Sequence, residues 1–236
     1  MKRSYDDSLS QQKNKSIKTS AAEVTRSHYN QRPELNKLER MDSRVYHLKC
    51  LNNWIKSVLI ANYCKPNARV FDLCCGKGGD LLKWSKARIQ ELVGADIADV
   101  SVQQASRRYK EGSFRFPASF YAGDCFSEPI STIVPPQHSP FDFVSCQFAL
   151  HYCFESETKA RQAIKNIADS LRPGAYFVGT IPNANWIVYS LLLHTFIFIE
   201  RNYDPFKIFL LETLCIQSRL IKKRHIQFLV IVTNFN

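Results

Sequence analysis

The stretch Arg69–Asp80, RVFDLCCGKGGD, opens with the apolar run Val70-Phe71-Asp72-Leu73, which has the composition of a buried parallel strand. It breaks into Cys74-Cys75-Gly76-Lys77-Gly78-Gly79 and re-enters an apolar pattern at helical spacing with Leu81, Leu82 and Trp84. Strand, glycine-rich turn and helix in that order let a ligand rest against bare backbone at a helix N-terminus. A second strand-like run, Glu91–Gly94, leads to Asp96, twenty residues after Gly76. A nucleotide-binding α/β unit places a carboxylate for a ribose diol at that spacing. The pattern predicts a nucleoside-bearing cofactor.

Outward from this turn the chain alternates strand and helix. Strands are predicted at Val70–Cys74, about Leu92–Asp96, about Ser119–Ala122, Phe141–Phe148 and Ala175–Ile181. Helices are predicted from about Gly79 to Ile89, through Val100–Tyr109 with Asp99 as N-cap, and from about Glu155 to Leu171, where Arg172-Pro173-Gly174 stops the last. This order implies an α/β fold: a right-handed, doubly wound, mostly parallel Rossmann-like sheet. Upstream, Leu48–Ile60 reads as an amphipathic helix with Leu48, Leu51, Trp54, Ile55, Val58 and Leu59 on one broad face. His28-Tyr29-Asn30 lies in a segment too polar to be core.

Both ends differ in character from this middle. Residues 1–25 are polar, basic and aperiodic and read as a disordered tail. Residues 26–185 form the predicted domain, and 186–236 an apolar and basic tail with few cap or turn signals. In that tail, Trp186–Ile199 is apolar but short of a bilayer span, so no membrane is implied. Phe206–Ile216 and Gln227–Val232 are further apolar runs, read as a helix and strands closing the sheet. The formal net charge of +11 points to a polyanionic partner, most simply nucleic acid. Eight cysteines without CxxC spacing read as buried free thiols in a reducing compartment, and no metal is implied.

A dinucleotide site calls for G-x-G-x-x-G. The turn C-C-G-K-G-G-D fits that poorly, and Asp72 inside the first strand has no part in it. An acid in the first strand, a G-x-G-G turn and an acid closing the second strand instead resemble class I S-adenosylmethionine methyltransferases. Within that class, HYN at 28–30, LNNWIKS at 51–57, DLCCGKGGDLLKW at 72–84, DIADVSVQQASRRY at 96–109 and SCQFALHYCFES at 145–156 resemble the mRNA cap guanine-N7 methyltransferases. The likeness runs from about Ser27 to Pro182.

The resemblance implies transfer of a methyl group from S-adenosylmethionine to N7 of the guanosine cap of mRNA, in the nucleus. It places Lys56, Asp96, Asp124, Gln147 and Tyr152 around S-adenosylmethionine, with the Cys74–Gly78 turn, and so Cys74 and Gly76, beneath it. It places Asn52, Lys77, Lys83, Arg108 and His151 around the cap guanosine and its triphosphate. Lys77, Lys83 and Arg108 are expected at or just beyond the C-terminal strand edge, where cations suit a triphosphate. Guanine N7 carries a free lone pair, so no general base and no catalytic residue in that sense is expected, only placement. The implied partners are the capped mRNA 5′ end and an activating subunit or the capping machinery.

Two departures stand out. The family turn reads DLGCGKG, and Cys74 stands where its first glycine would be, so lowered cofactor affinity is expected. Beyond about Trp186 the chain does not resemble the family, which predicts a truncated or alternatively spliced relative lacking the normal last strands. The alternative function is accordingly a methyltransferase-like RNA-binding protein with impaired turnover.

Overall fold

The computed structural model describes residues 20–33, 37–182 and 228–235. The elements, in chain order, are α1 (Ala21–Asn30), α2 (Lys37–Met41), α3 (Tyr46–Tyr63), β1 (Arg69–Leu73), α4 (Leu81–Ala87), β2 (Glu91–Asp96), α5 (Asp99–Glu111) and β3 (Ala118–Ala122). After these come α6 (Ile130–Ile133), β4 (Phe141–Gln147), α7 (Glu157–Ser170), β5 (Leu171–Pro182) and β6 (Phe228–Phe235). The sheet order is β3-β2-β1-β4-β5-β6. The first five strands pair in parallel, and β6 runs antiparallel to β5 from Ala175↔Phe235 to Pro182↔Phe228. Strand order reverses at β1, so the crevice beyond the carboxyl ends of β1 and β4 is where an open α/β sheet takes its ligand.

Side chains alternate across the sheet with the period of two that a strand imposes. Val70, Leu92, Phe143 and Val178 face one core with Trp84, Leu81 and Ile60 from α4 and α3. Phe71, Val93, Val144 and Phe177 face the other with Ala163 and Ile167 from α7. The continuous apolar runs of β1, β2 and β4 are therefore those of strands buried on both faces.

Several expectations need correction. The N-terminal tail does not reach Thr25: α1 starts at Ala21, and the Ser20 hydroxyl caps it by accepting from the Glu23 N–H at 3.2 Å. Residues 1–19 and the apolar runs at 186–199 and 206–216 lie outside the described residues. The apolar run Gln227–Val232, read as a strand closing the sheet, forms β6 and pairs along β5, so the sheet does not end bare at β5. Asp99 is the first residue of α5 and not its cap; Ala98 holds that place and supplies no side-chain bond. β5 begins at Leu171, directly after α7, and the irregularity facing Phe141/Phe143 absorbs Pro173 and the left-handed Gly174.

The largest correction concerns α3. Leu48, Leu51, Trp54 and Val58, placed on its buried face by periodicity, are exposed at 37, 44, 63 and 36%. Only Leu59 and Ile60 of this helix are buried. The sheet lies under the C-terminal half of α3, where Tyr63 meets Tyr176 of β5. The stripe pattern alone cannot tell how far along the helix its support extends.

Candidate active site

A cavity of about 970 Å³ opens beyond the carboxyl ends of the central strands. Its floor is the turn after β1. Gly76 and Gly78 have φ of +52° and +68°, the left-handed region open to glycine at little expense. A Cβ on Gly76 would meet nothing within 4 Å, so bare backbone faces the cavity there. A Cβ on Gly78 would come within 3.2 Å of Ala105, so that glycine also lets the turn approach α5.

Asp96, at the end of β2, accepts from the Gly76 N–H at 2.8 Å through one oxygen and from the Ala98 N–H at 2.9 Å through the other. These bonds aim the carboxylate and leave a lone pair on each oxygen. Burial outweighs both N–H groups and raises the Asp96 carboxyl above its ordinary value. Asp124, just past β3, accepts from the Phe126 N–H at 3.0 Å and lines the same wall.

Opposite stands a carboxylate and lysine cluster. Lys56 of α3 lies 2.8 Å from both oxygens of Asp80, and Lys83 of α4 lies 2.8 Å from Asp80 Oδ1. Lys83 also donates to the Asn53 side-chain oxygen at 2.9 Å. Burial pushes the Asp80 carboxyl upward, but the two ammonium groups outweigh it and hold it below the usual range. Asp72, fully enclosed in β1, is driven the other way. Burial, then the neighbouring Asp80 charge, raises it to about 8. One proton therefore sits on Asp72 at neutral pH, and the charge resides on Asp80.

All seven positions predicted around the cofactor, Lys56, Cys74, Gly76, Asp96, Asp124, Gln147 and Tyr152, line this one cavity. Gln147 is the least available of them. Its amide donates to the Ser145 hydroxyl and the Val178 carbonyl at 3.1 and 3.3 Å, and its oxygen accepts from Thr180 at 3.1 Å. Of the five positions predicted around the cap, His151 lines the cavity. Its Nδ1 is buried without a protein partner, and burial lowers its pKa, so the ring is neutral at pH 7. Asn52 likewise keeps a buried side-chain oxygen without a partner. Lys77 donates to the Arg32 carbonyl at 2.7 Å. Arg108 does not share the expected edge. It lies nine residues into α5, roughly 13 Å along the axis from the end nearest Asp96.

Residues 11–195 match the mRNA (guanine-N(7))-methyltransferase domain. The chain belongs to that family. It is 51% identical over 173 residues to the mRNA cap guanine-N(7) methyltransferase of Schizosaccharomyces pombe, covering 71% of this chain and 48% of that one. It is 46% identical over 172 residues to mRNA cap guanine-N(7) methyltransferase 1 of Arabidopsis thaliana, covering 70% and 46%. The chain thus spans about half the length of the curated relatives it matches. Among solved structures it resembles magnesium protoporphyrin IX methyltransferase of Synechocystis PCC 6803, with TM-score 0.54 and 16% identity over 91% of this chain and 99% of that one. That likeness supports the fold.

Cys74 stands where the resemblance led a glycine to be expected. Its φ is +63°, a conformation that strains an L-residue by about 1–2 kcal/mol. The thiol turns to Cys146 in the core; that hydrogen bond and burial push its pKa up, so it stays a protonated, unreactive thiol. The side chain therefore acts on the site mainly through backbone strain. Cys74→Gly is expected to tighten S-adenosylmethionine binding by roughly threefold, while stability stays within about 1 kcal/mol because relieved strain offsets lost thiol packing. Calorimetric titration and thermal melts read both, and equal affinities would sink the idea.

Sequence reasoning missed Asp80 as the organiser of the lysines, although it stands in the glycine turn. It also assigned no contact to Tyr29, whose hydroxyl lies 2.9 Å from that of Tyr152. The polarity of the HYN segment, which closes α1, was the available signal, since polar residues outside the core still need partners.

Proposed function

We propose that this chain transfers the methyl group of S-adenosylmethionine to N7 of the guanosine cap of mRNA. One observation carries the reading: a single cavity collects every position that the family pattern assigns to the cofactor, with a half-buried histidine on its wall whose buried Nδ1 has no hydrogen-bond partner. Its volume of about 970 Å³ leaves room for a base beside the cofactor. The residues present fit S-adenosylmethionine. The bare Gly76 backbone suits the methionine portion, the Asp96 oxygens suit the ribose hydroxyls, and Asp124 suits the adenine amine.

The cofactor supplies a methyl group already activated on a sulfonium. The protein's own part is placement and exclusion of water. Neutral His151 offers a ring nitrogen to the guanine edge, and Lys77 stands outside the cavity as a cation for the triphosphate, whereas Lys83 is held by Asp80 and Asn53. No proton has to leave N7 before attack, so no side chain acts as a base. The net charge of +11 suits the polyanionic RNA behind the cap, and the compartment that goes with this substrate is the nucleus.

The test is transfer of labelled methyl from S-adenosylmethionine to GpppN-capped RNA by the full chain, with digestion to locate the label. Label at guanine N7 is expected. Cofactor binding with no label in guanine would refute the assignment. In the same assay, Asp96→Ala is expected to weaken cofactor binding about 100-fold, the loss of two charge-assisted hydrogen bonds to a ribose diol. Equal affinity for wild type and variant would remove Asp96 from the site.

A further inference from the structure

The outer wall of the cavity is α1, which contributes Ala21, Ala22, Val24, Thr25 and Tyr29 to the lining. This helix of ten residues buries none of them. A helix that short is marginal by itself, and without buried apolar anchors its position rests on polar contacts. They come from both sides of the cavity. On one side, Tyr29 meets the Tyr152 hydroxyl at 2.9 Å. On the other, Arg26 donates to the Ile97 carbonyl at 3.1 Å. Asn30 uses both ends of its amide there: its nitrogen donates to Asp99 Oδ1 at 2.8 Å, and its oxygen accepts from the Val100 N–H at 3.2 Å.

The second Asn30 bond explains a vacancy in α5. That helix has Ala98 at its N-cap and so no side-chain cap of its own. Asn30 supplies the missing acceptor from another element, so docking of α1 also completes the first turn of α5. That turn adjoins Asp96, which accepts from the Ala98 N–H. Formation of the wall and the setting of the carboxylate thus share one clasp. The amide also holds the Asp99 carboxyl below the usual carboxylate range, the direction a donor bonded to the charged form produces.

We propose that Asn30 is a positioning residue for cofactor binding, clasping α1 to the start of α5 so that a ligand at Asp96 is enclosed while α1 is docked and exchanges when it is released. The proposal rests on the reading of this cavity as the S-adenosylmethionine site. It predicts coupling in both directions, since whatever favours the docked helix favours the ligand and the reverse.

The clasp has a donor and an acceptor that can be exchanged. Asn30→Asp puts a carboxylate against Asp99 with no donor between them, whereas Asn30→Asp combined with Asp99→Asn restores complementary groups with the roles reversed. Binding of S-adenosylmethionine by calorimetry and amide hydrogen exchange of residues 21–31 are measured on the full chain for wild type, each single variant and the pair. Asn30→Asp is expected to weaken binding on the order of tenfold or more and to remove protection of α1, and the pair to return within about threefold of wild type. Wild-type affinity in Asn30→Asp, or a loss that Asp99→Asn fails to rescue, would overturn the role of Asn30. Absence of binding by the wild-type chain would instead overturn the cofactor reading beneath it. Should Asn30→Asp fail to fold, Asn30→Ala, which removes the clasp without adding charge, is judged by the same affinity and exchange criteria.

Discussion

Replacing Asp80 with alanine is expected to lower the melting temperature by roughly 10 °C and to leave no measurable methyl transfer. Asp80 is 7% exposed and is the counter-charge for two ammonium groups whose side chains are only 16 and 13% exposed. Removing one partner of a buried ion pair strands the other charge, which costs about 3–5 kcal/mol, far beyond the worth of a surface pair. Here two charges are stranded. Lys56 also lines the cavity, so the same change releases a cation from its place beside the cofactor. Thermal melts and the transfer assay check the two halves separately. A melting temperature unchanged within a degree or two would show that the lysines find other partners.

A second large effect lies in the pH dependence of stability. Asp72 titrates near 8 in the folded chain against an ordinary value of 3.8, because burial and the adjacent Asp80 charge disfavour its ionised form. The folded state therefore holds a proton that the unfolded state has lost across the whole interval. Stability from this group is fully present below about pH 4, falls as pH rises, and is gone once pH passes about 8. The total is on the order of a few kcal/mol. Asp72→Asn copies the protonated acid in shape and keeps an acceptor for the Trp84 indole N–H, now 3.4 Å from Oδ2. The variant is expected to lose this slope and to exceed wild type in stability at pH 8. Denaturant midpoints at pH 5 and 8 measure it. Parallel pH slopes in the two proteins would refute the assignment, since titrations elsewhere in the chain cancel in the comparison.

The two effects are linked through Lys56. In the Asp80→Ala protein Lys56 still favours ionisation of Asp72. Loss of the Asp80 charge should therefore draw the proton off Asp72 at lower pH, and the Asp80→Ala protein should show a flatter pH profile than wild type.

How much of this was legible beforehand depended on the range of the interaction concerned. The parallel strands β1, β2 and β4 were readable because strands buried on both faces need continuous apolar runs, and the glycine turn was readable because only glycine occupies the left-handed region at little expense. The cofactor positions came from the family resemblance, and the topology brings the strand ends that carry several of them to one edge. The stripe on α3 misled because a helix displays the same periodicity whether or not a sheet lies beneath all of it. Arg108 misled because distance along α5 separates it from the edge where that helix begins.

The sequence by itself determined the alternation of strands and helices, the turn that opens to a ligand and the family to which the chain belongs. All three depend on residues close together in the chain or repeated at a fixed period. Only the tertiary structure decided which of two nearby carboxyls bears the charge, that Asp80 gathers Lys56 and Lys83, and that Asn30 caps α5 from a distant helix. Those facts depend on electrostatic and hydrogen-bond distances between groups far apart in sequence. A strand and turn pattern carries no record of them until the chain is folded.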